Sequence, residues 1–460
     1  MFNNKTVLIM GLGLHGGGIG AANYFASKGA RVIVTDLKQA RELKESVEKL
    51  GHREHMRFVF GRHEYDDFAS ADIIIKNPGV RADSPYIKFA VDHGAVVETD
   101  IGIFLHEIRN ITTNIVGVTG TKGKSTTASI VYSIIKSRYP DTFVSGNITG
   151  SVFDIIDKVK KDSYVVLELS SFQLGGIADK GYSPRIGIFT NLMQDHLNFY
   201  NSMEDYFNDK SVIYRFQGKG DVLVVNRDNI AFNFIKPAEG AELITFGMGE
   251  GFEGEGSFKR AGKIYYRELK KTHFIMDTSS IKLLGTHNLY NILAGVAAAF
   301  REGFTPEEIK TAVSEFHGID HRLEYVGSCR NIDFYNDSAA TMPQAAIHGI
   351  SSFRGDLTLI AGGSDKNLDL SDFARVIDSR VNLLVLLAGT GTDRLVRCLK
   401  KEYTIHGNLE SAVEYAFHNT RAPGTVLLSP GFTSFGMFKN EFHRGNEFRK
   451  IVLGIIDRGH

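Results

Sequence analysis

Val116-Gly-Val-Thr-Gly-Thr-Lys-Gly-Lys-Ser-Thr-Thr127 begins as a β-branched run, turns through a glycine loop and passes into a helical pattern at Lys124, Ser125 and Thr126. Such an arrangement wraps phosphate. Glycines let backbone N–H groups approach the oxygens, the helix start adds partial positive charge, and Lys124 adds a full one. A hydroxyl directly after the lysine can hold Mg²⁺. Only two residues separate Gly120 from Gly123, so the loop is shorter than the common phosphate loop, which has four before its Gly-Lys pair. A chance Gly-Lys-Ser is an ordinary surface turn. Here the preceding strand pattern and the apolar helix positions Ile130, Val131, Ile134 and Ile135 make a strand–loop–helix unit. Gly120, Thr121, Gly123, Lys124, Ser125 and Thr126 are therefore expected to bind a nucleoside triphosphate.

Outward from this loop, short apolar runs alternate with helical patterns along nearly the whole chain, which predicts α/β layers with mainly parallel sheets. Three segments are expected: 1–107, 108–316 and 317–460. The first has Gly11-x-Gly13-x-x-Gly16 after a strand, with Asp36 closing the next strand. That is the dinucleotide fingerprint, although a glycine turn of this kind also binds other diphosphates. The second carries the phosphate loop, and its stretch Gly247–Gly262 reads as a β-hairpin excursion. The third has strands at 357–361, 383–387 and 426–428.

The 460 residues suggest about three domains, and 43% hydrophobic content is enough to fill several cores. Lys plus Arg and Asp plus Glu number 53 each, so no global field draws nucleic acid or a membrane surface. Two distant cysteines and the absence of a signal peptide or a bilayer-length apolar run predict a cytoplasmic protein that does not insert into membranes.

Glu168 ends the strand-like Tyr164-Val-Val-Leu-Glu168, and Asn191, Asp195 and His196 follow another strand end. A lone strand-end carboxylate is usually solvated. Two such termini beside a phosphate loop predict a Mg²⁺ site, since hard oxygen ligands select that ion. Asn288 and Asn291 share one helix face, and Arg322 and Asp337 open the third segment. Arg322 and Asp337 are placed to grip a nucleotide or merely to pair with each other. By spacing alone Lys210 is an ordinary surface lysine.

These pieces, in this order, resemble the Mur ligase superfamily. The resemblance spans essentially the whole chain and rests on Gly120–Thr126, Ser145-Gly-Asn-Ile148, Leu167-Glu-Leu-Ser-Ser-Phe-Gln-Leu174, Asp195-His196, His287-Asn288, His321-Arg322, Leu428-Ser-Pro430, Phe438-Lys-Asn440 and Arg444-Gly-Asn-Glu-Phe448. The Glu-Leu-Ser-Ser-Phe-Gln-Leu string points to the branch that adds D-glutamate. The resemblance implies a monomeric, three-domain enzyme joining an amino acid to a UDP-linked muramoyl-alanine through an acyl phosphate, with ATP and two Mg²⁺ ions. Its first domain would be Rossmann-like and hold UDP, its second a phosphate-loop ATPase domain, and its third Rossmann-like.

By the same resemblance, Leu14, His15, Asp36, Lys38, Asn147 and Ser170 would contact the UDP substrate. Lys124 would bind phosphates, Ser125 and Glu168 one Mg²⁺, and His196 the second together with Lys210, which the family carries as a carbamate. Asn288, Asn291, Arg322 and Asp337 would hold ATP. Thr341, Lys366, Ser434 and Phe442 would receive the amino acid. Two departures fall in that last pocket: Ala339 where the family usually has lysine, and Glu441 where an aromatic residue is common. Lys366 and another basic group are expected to compensate for Ala339. Alternatives are a sister ligase with another amino acid, a folate-type polyglutamate ligase, an NAD-dependent oxidoreductase using Gly11–Asp36, and a non-catalytic nucleotide sensor. The uridine-type N-terminal segment opposes the folate version, and the intact Lys124, Ser125, Glu168, His196 and Lys210 set opposes the sensor.

Overall fold

In a computed structural model the chain forms three sheets with covering helices. The structure describes residues 2–13, 16–81, 83–148, 150–195, 199–249, 251–283, 285–365 and 368–459. Leu14, His15, His196 and Lys366 lie outside the described residues.

Strands buried on both faces need continuous apolar runs, and the β-branched stretches of this sequence supply them. The first sheet contains β1 (Thr6–Met10), β2 (Arg31–Asp36), β3 (Met56–Phe60), β4 (Ile73–Lys76) and β5 (Val96–Glu98), all parallel in the order β3-β2-β1-β4-β5. The second contains β6 (Ile115–Thr119), β7 (Thr142–Gly146), β8 (Tyr164–Glu168), β9 (Ile186–Phe189), β10 (Val222–Asn226), β11 (Glu242–Met248), β12 (Gly256–Arg260), β13 (Lys263–Glu268) and β14 (Lys271–Asp277). Its order is β14-β13-β12-β11-β10-β9-β6-β8-β7, parallel except for the two pairings that involve β13. The third contains β15 (Glu324–Cys329), β16 (Ile332–Asn336), β17 (Asp356–Gly362), β18 (Leu383–Leu387), β19 (Tyr403–His406) and β20 (Gly424–Leu428), in the order β15-β16-β20-β17-β18-β19. Only β15 and β16 are antiparallel there.

The expected hairpin falls later than Gly247–Gly262. β11 runs to Met248, and the antiparallel strands are β12 to β14. On β13, Ile264 and Tyr266 are buried while Lys263 is exposed, the two-residue alternation of a strand with one covered face. The glycine run marks the connection into this meander and not the hairpin itself.

One apolar core serves both the first and the second sheet. The helix Asp100–Ile108, at the expected boundary, buries Ile101, Phe104, Leu105 and Ile108 in it, and Tyr24 stacks on Phe153 at 4.6 Å. The chain up to Thr278, together with Leu289–Val313, is accordingly one compact unit. Ser279–Asn288 with Ser314 onward is the other. In that second unit, alternate residues of β17, β18 and β20 enter opposite cores: Leu359, Leu386 and Leu427 on one face, Ile360, Val385 and Val426 on the other. Among the described residues no helix is long and apolar enough to cross a membrane.

Candidate active site

β6 delivers the chain to the phosphate loop, and the helix Lys124–Arg138 carries it away. Gly120 and Gly123 have φ values of +141° and +84°, where side chains are disfavoured. The space around them is closed as well. A Cβ on Gly120 would lie 2.0 Å from Thr190 Oγ1, and one on Gly123 would lie 2.3 Å from Asn291 Oδ1. Asn191, read from sequence as a metal-side residue, has a different task. Its Oδ1 accepts from Lys122 N–H and its Nδ2 donates to Lys122 O, both at 2.9 Å, so one amide clamps the loop backbone. Thr190 Oγ1 donates to the same carbonyl at 2.8 Å. Nothing in the local sequence announces these contacts, which join residues 68 and 69 positions apart.

Two lysines meet at one carbonyl. Lys124 Nζ donates to Gly120 O at 3.2 Å and Thr121 O at 3.0 Å, while Lys210 Nζ donates to Gly120 O at 2.9 Å. Lys210, unremarkable in sequence, is 1% exposed on the helix Met203–Arg215. Burial, and then the Lys124 charge, pull its ammonium down to about 7, against the opposing pull of Asp195, Asp209 and Glu168. Its amine is thus substantially neutral near pH 7, as CO₂ capture requires.

Glu168 closes β8 and is 2% exposed. Asn147 Nδ2 donates to its Oε1 at 3.2 Å, whereas Oε2 is buried without a hydrogen-bond partner among the described residues. A buried carboxylate oxygen left open beside a phosphate loop fits a hard cation. Among the described residues no three His, Cys, Asp or Glu side chains form a metal cluster. The open Glu168 oxygen is a hard donor of the kind Mg²⁺ takes together with phosphate oxygens and water.

Other predicted contacts already have structural work. Asp36 is 8% exposed and accepts from Gly13 N–H at 3.1 Å and Lys38 N–H at 2.9 Å, so it braces the glycine turn. Lys38 is exposed. Ser170 caps the short helix Ser171–Gly175, its Oγ accepting from Gln173 N–H at 3.2 Å. Asn291 lies against Gly123 and accepts from Thr127 Oγ1 at 3.3 Å, which brings it to the phosphate loop.

The remaining candidates among the described residues belong to the second unit, where Asn288 also lies. Asp337 is buried. Ser429 Oγ donates to it at 2.6 Å and Leu323 N–H at 3.2 Å, and burial pushes its carboxyl up to about 7 despite the nearby Arg322 charge. Thr341 lines a small hollow with Ser364, Asp365, Gly431 and Phe432. Ser434 is buried, whereas Phe442 is 55% exposed and stands edge-on to His321. Arg444, seen in sequence only as part of a motif, is 1% exposed and ties Ser338 to Phe432 O. It thereby staples the loop that carries Asp337 and Thr341 to the one that carries Ser434.

Three family descriptions match in chain order: the MurD-like N-terminal domain of Mur ligases over residues 5–99, the Mur ligase middle domain over 118–299, and the Mur ligase glutamate ligase domain over 321–432. The chain is 39% identical to the UDP-N-acetylmuramoylalanine--D-glutamate ligase of Roseiflexus sp. (strain RS-1), with 97% of this chain and 98% of that one covered. It is 35% identical to the protein of the same name from Borreliella burgdorferi, with 98% of each covered. Among solved structures it resembles the UDP-N-acetylmuramate-alanine ligase of Thermotoga maritima, with a TM-score of 0.56, 19% identity, and 98% and 100% of the two chains covered. A pseudomurein peptide ligase type C from Methanothermus fervidus gives a TM-score of 0.52 at 18% identity, again with 98% and 100% covered. At those identities the two structures speak for the fold. Full-length relatedness above 30% speaks for descent, and the chain belongs to the Mur ligase superfamily, in its MurD-like branch.

Proposed function

We propose that the chain is an ATP-dependent ligase that forms the amide between D-glutamate and UDP-N-acetylmuramoyl-L-alanine, a step of peptidoglycan precursor synthesis. The convergence of Lys124 and Lys210 on Gly120 O, within the charge field of the buried Glu168, carries the reaction type. The substrates follow from the relatives of that name. Residues 1–107 would hold the nucleotide sugar, 108–316 the ATP phosphates and 317–460 the amino acid.

A carboxylate resists attack by an amine until one of its oxygens becomes a leaving group. That oxygen attacks the γ-phosphorus of ATP, the bond to the bridging oxygen breaks, and ADP departs. Both reactants are anionic. Lys124 and the N–H groups at the start of the Lys124–Arg138 helix offset their repulsion, most strongly as charge spreads over the transferred phosphoryl group. The amine of glutamate then attacks the acyl carbon of the acyl phosphate, and phosphate leaves with the oxygen that joined it.

Ser125, Glu168, His196 and a carbamylated Lys210 are the protein groups proposed to hold two Mg²⁺ ions, which when bound neutralise phosphate charge and align the oxygens. Neutral Lys210 amine adds to CO₂ and loses a proton, turning an uncharged amine into an anionic carboxylate ligand. Asn288, Asn291, Arg322 and Asp337 are proposed for ATP. Thr341, Ser434, Phe442 and Lys366 are proposed for the amino acid. Asn147, Ser170, Lys38, Leu14 and His15 are proposed for the UDP substrate, with Asp36 shaping the turn that meets it.

Labelling the alanyl carboxylate of the substrate with ¹⁸O tests the sequence of bonds. One labelled oxygen is expected in the phosphate released. Phosphate free of label contradicts an acyl phosphate.

A further inference from the structure

β17 and β18 are parallel neighbours whose last residues, Gly362 and Leu387, are register partners. The segments that follow them meet. Gly391 N–H donates to Gly363 O at 2.9 Å, and Asp365 N–H donates to Thr390 Oγ1 at 3.1 Å. On its other side the same loop is zipped to the one after β20. Ser364 and Thr433 exchange backbone N–H···O bonds at 3.0 and 3.3 Å. Gly363 permits the approach, since a Cβ there would lie 2.3 Å from Thr433 O. Held from both sides, Asp365 stands in the hollow that Thr341 also lines.

The Asp365 side chain is 16% exposed, against 64% for Asp372, another paired acid of this unit. A carboxylate so withdrawn from water is weakly screened and acts strongly on any charge brought beside it. Arg394, on the helix Thr390–Leu395, answers it. Its Nη1 donates to both Asp365 carboxylate oxygens at 2.7 Å, and its Nη2 donates to Leu368 O at 3.1 Å. The guanidinium is itself 40% exposed, so the pair adds little to stability. Its consequence is electrostatic. An amino acid with two carboxylates, arriving beside Thr341, would otherwise meet a third at Asp365 and be repelled.

We propose that Arg394 is a positioning residue for the acceptor amino acid: it neutralises Asp365 and so admits a dicarboxylate beside Thr341. This inference rests on the ligase reading given above and deepens it, because it names what lets the third segment tolerate an acidic acceptor. Arg394 acts through Asp365 and on binding, so it changes the KM for the amino acid and leaves the phosphoryl-transfer step alone.

The test is steady-state kinetics of wild type, Arg394→Gln, Arg394→Lys, Asp365→Asn and the double variant Arg394→Gln/Asp365→Asn. Glutamine can still donate to Asp365 but brings no charge. Arg394→Gln is expected to raise the KM for D-glutamate about 5- to 10-fold, the scale of one uncompensated charge at a partly exposed site. Its kcat and its KM for ATP should stay within about twofold of wild type. Arg394→Lys should keep most of the affinity. Asp365→Asn alone should bind D-glutamate at least as tightly as wild type. In the double variant the second change should return the KM to within about threefold of wild type, a rescue that loss of packing would not allow. Arg394→Gln should melt within about 3 °C of wild type. An unchanged KM in Arg394→Gln overturns the assignment and leaves the ligase reading standing. A raised KM that Asp365→Asn does not relieve, or a KM raised by Asp365→Asn itself, also overturns it. A wild type whose phosphate release no dicarboxylic amino acid drives overturns the reading above together with this one.

Discussion

Lys124→Met is expected to lower ligase turnover by about 10³-fold or more, equivalent to ~4 kcal/mol of transition-state stabilisation, without unfolding the protein. Its ammonium donates to two carbonyls of its own loop, Gly120 O and Thr121 O, and is poised to exchange them for phosphate oxygens. The loop's shape comes from elsewhere: from Gly120 and Gly123 in left-handed conformations, and from Asn191 and Thr190 holding Lys122 O. Melting temperature should therefore change little while activity collapses. Loss of the Lys124 charge should also let the Lys210 pKa rise, because that charge is one of the causes depressing it. A Lys124→Met enzyme within tenfold of wild-type turnover would remove the loop from the chemistry.

Lys210→Met is expected to abolish activity to a similar extent and, unlike the first substitution, to reshape stability against pH. The Lys210 amine titrates near 7 in the fold, against 10.5 for an unperturbed lysine. Between those values the unfolded chain holds a proton that the native state lacks, so stability should rise as pH increases from about 7 towards 10. Below pH 7 the native state carries the buried charge. The full difference amounts to ~5 kcal/mol as an upper bound. In buffer free of metal and bicarbonate, wild type should show this rise in melting temperature and Lys210→Met should lack it, while melting no lower than wild type at pH 7. With ¹³C-bicarbonate, wild type should show a carbamate carbon resonance that the variant lacks. Parallel pH profiles for the two proteins would mean that Lys210 does not titrate in this range.

Much of this site is written in local sequence. Gly120–Thr126 declares strand, loop and helix because glycine spacing, a lysine and β-branched flanks fall within a dozen residues, and Glu168 is marked by its place at the end of an apolar run. What could not be read locally depends on distant partners. Lys210 has the sequence context of a surface lysine, and its burial comes from packing against a carbonyl 90 positions away. Asn191 acquires its meaning only when loops 69 positions apart become neighbours. Asp36 and Ser170, which match binding patterns in sequence, also brace a glycine turn and cap a helix start. At the expected boundary near residue 107, the helix Asp100–Ile108 gives its apolar face to a core that both neighbouring sheets share.

Ala339 and Glu441 lie in the proposed amino-acid segment and leave the phosphate loop untouched. The identity of the acceptor amine is therefore the part of the proposed reaction most exposed to refutation. It is tested by phosphate release from ATP and Mg²⁺ with UDP-N-acetylmuramoyl-L-alanine, comparing D-glutamate, L-glutamate, glycine, L-lysine and no amino acid. Release that requires D-glutamate is the expected result. Release driven by another of these amino acids would assign a different acceptor to the altered pocket, and a folded, ATP-binding protein that releases phosphate with none of them would contradict the ligase reading itself.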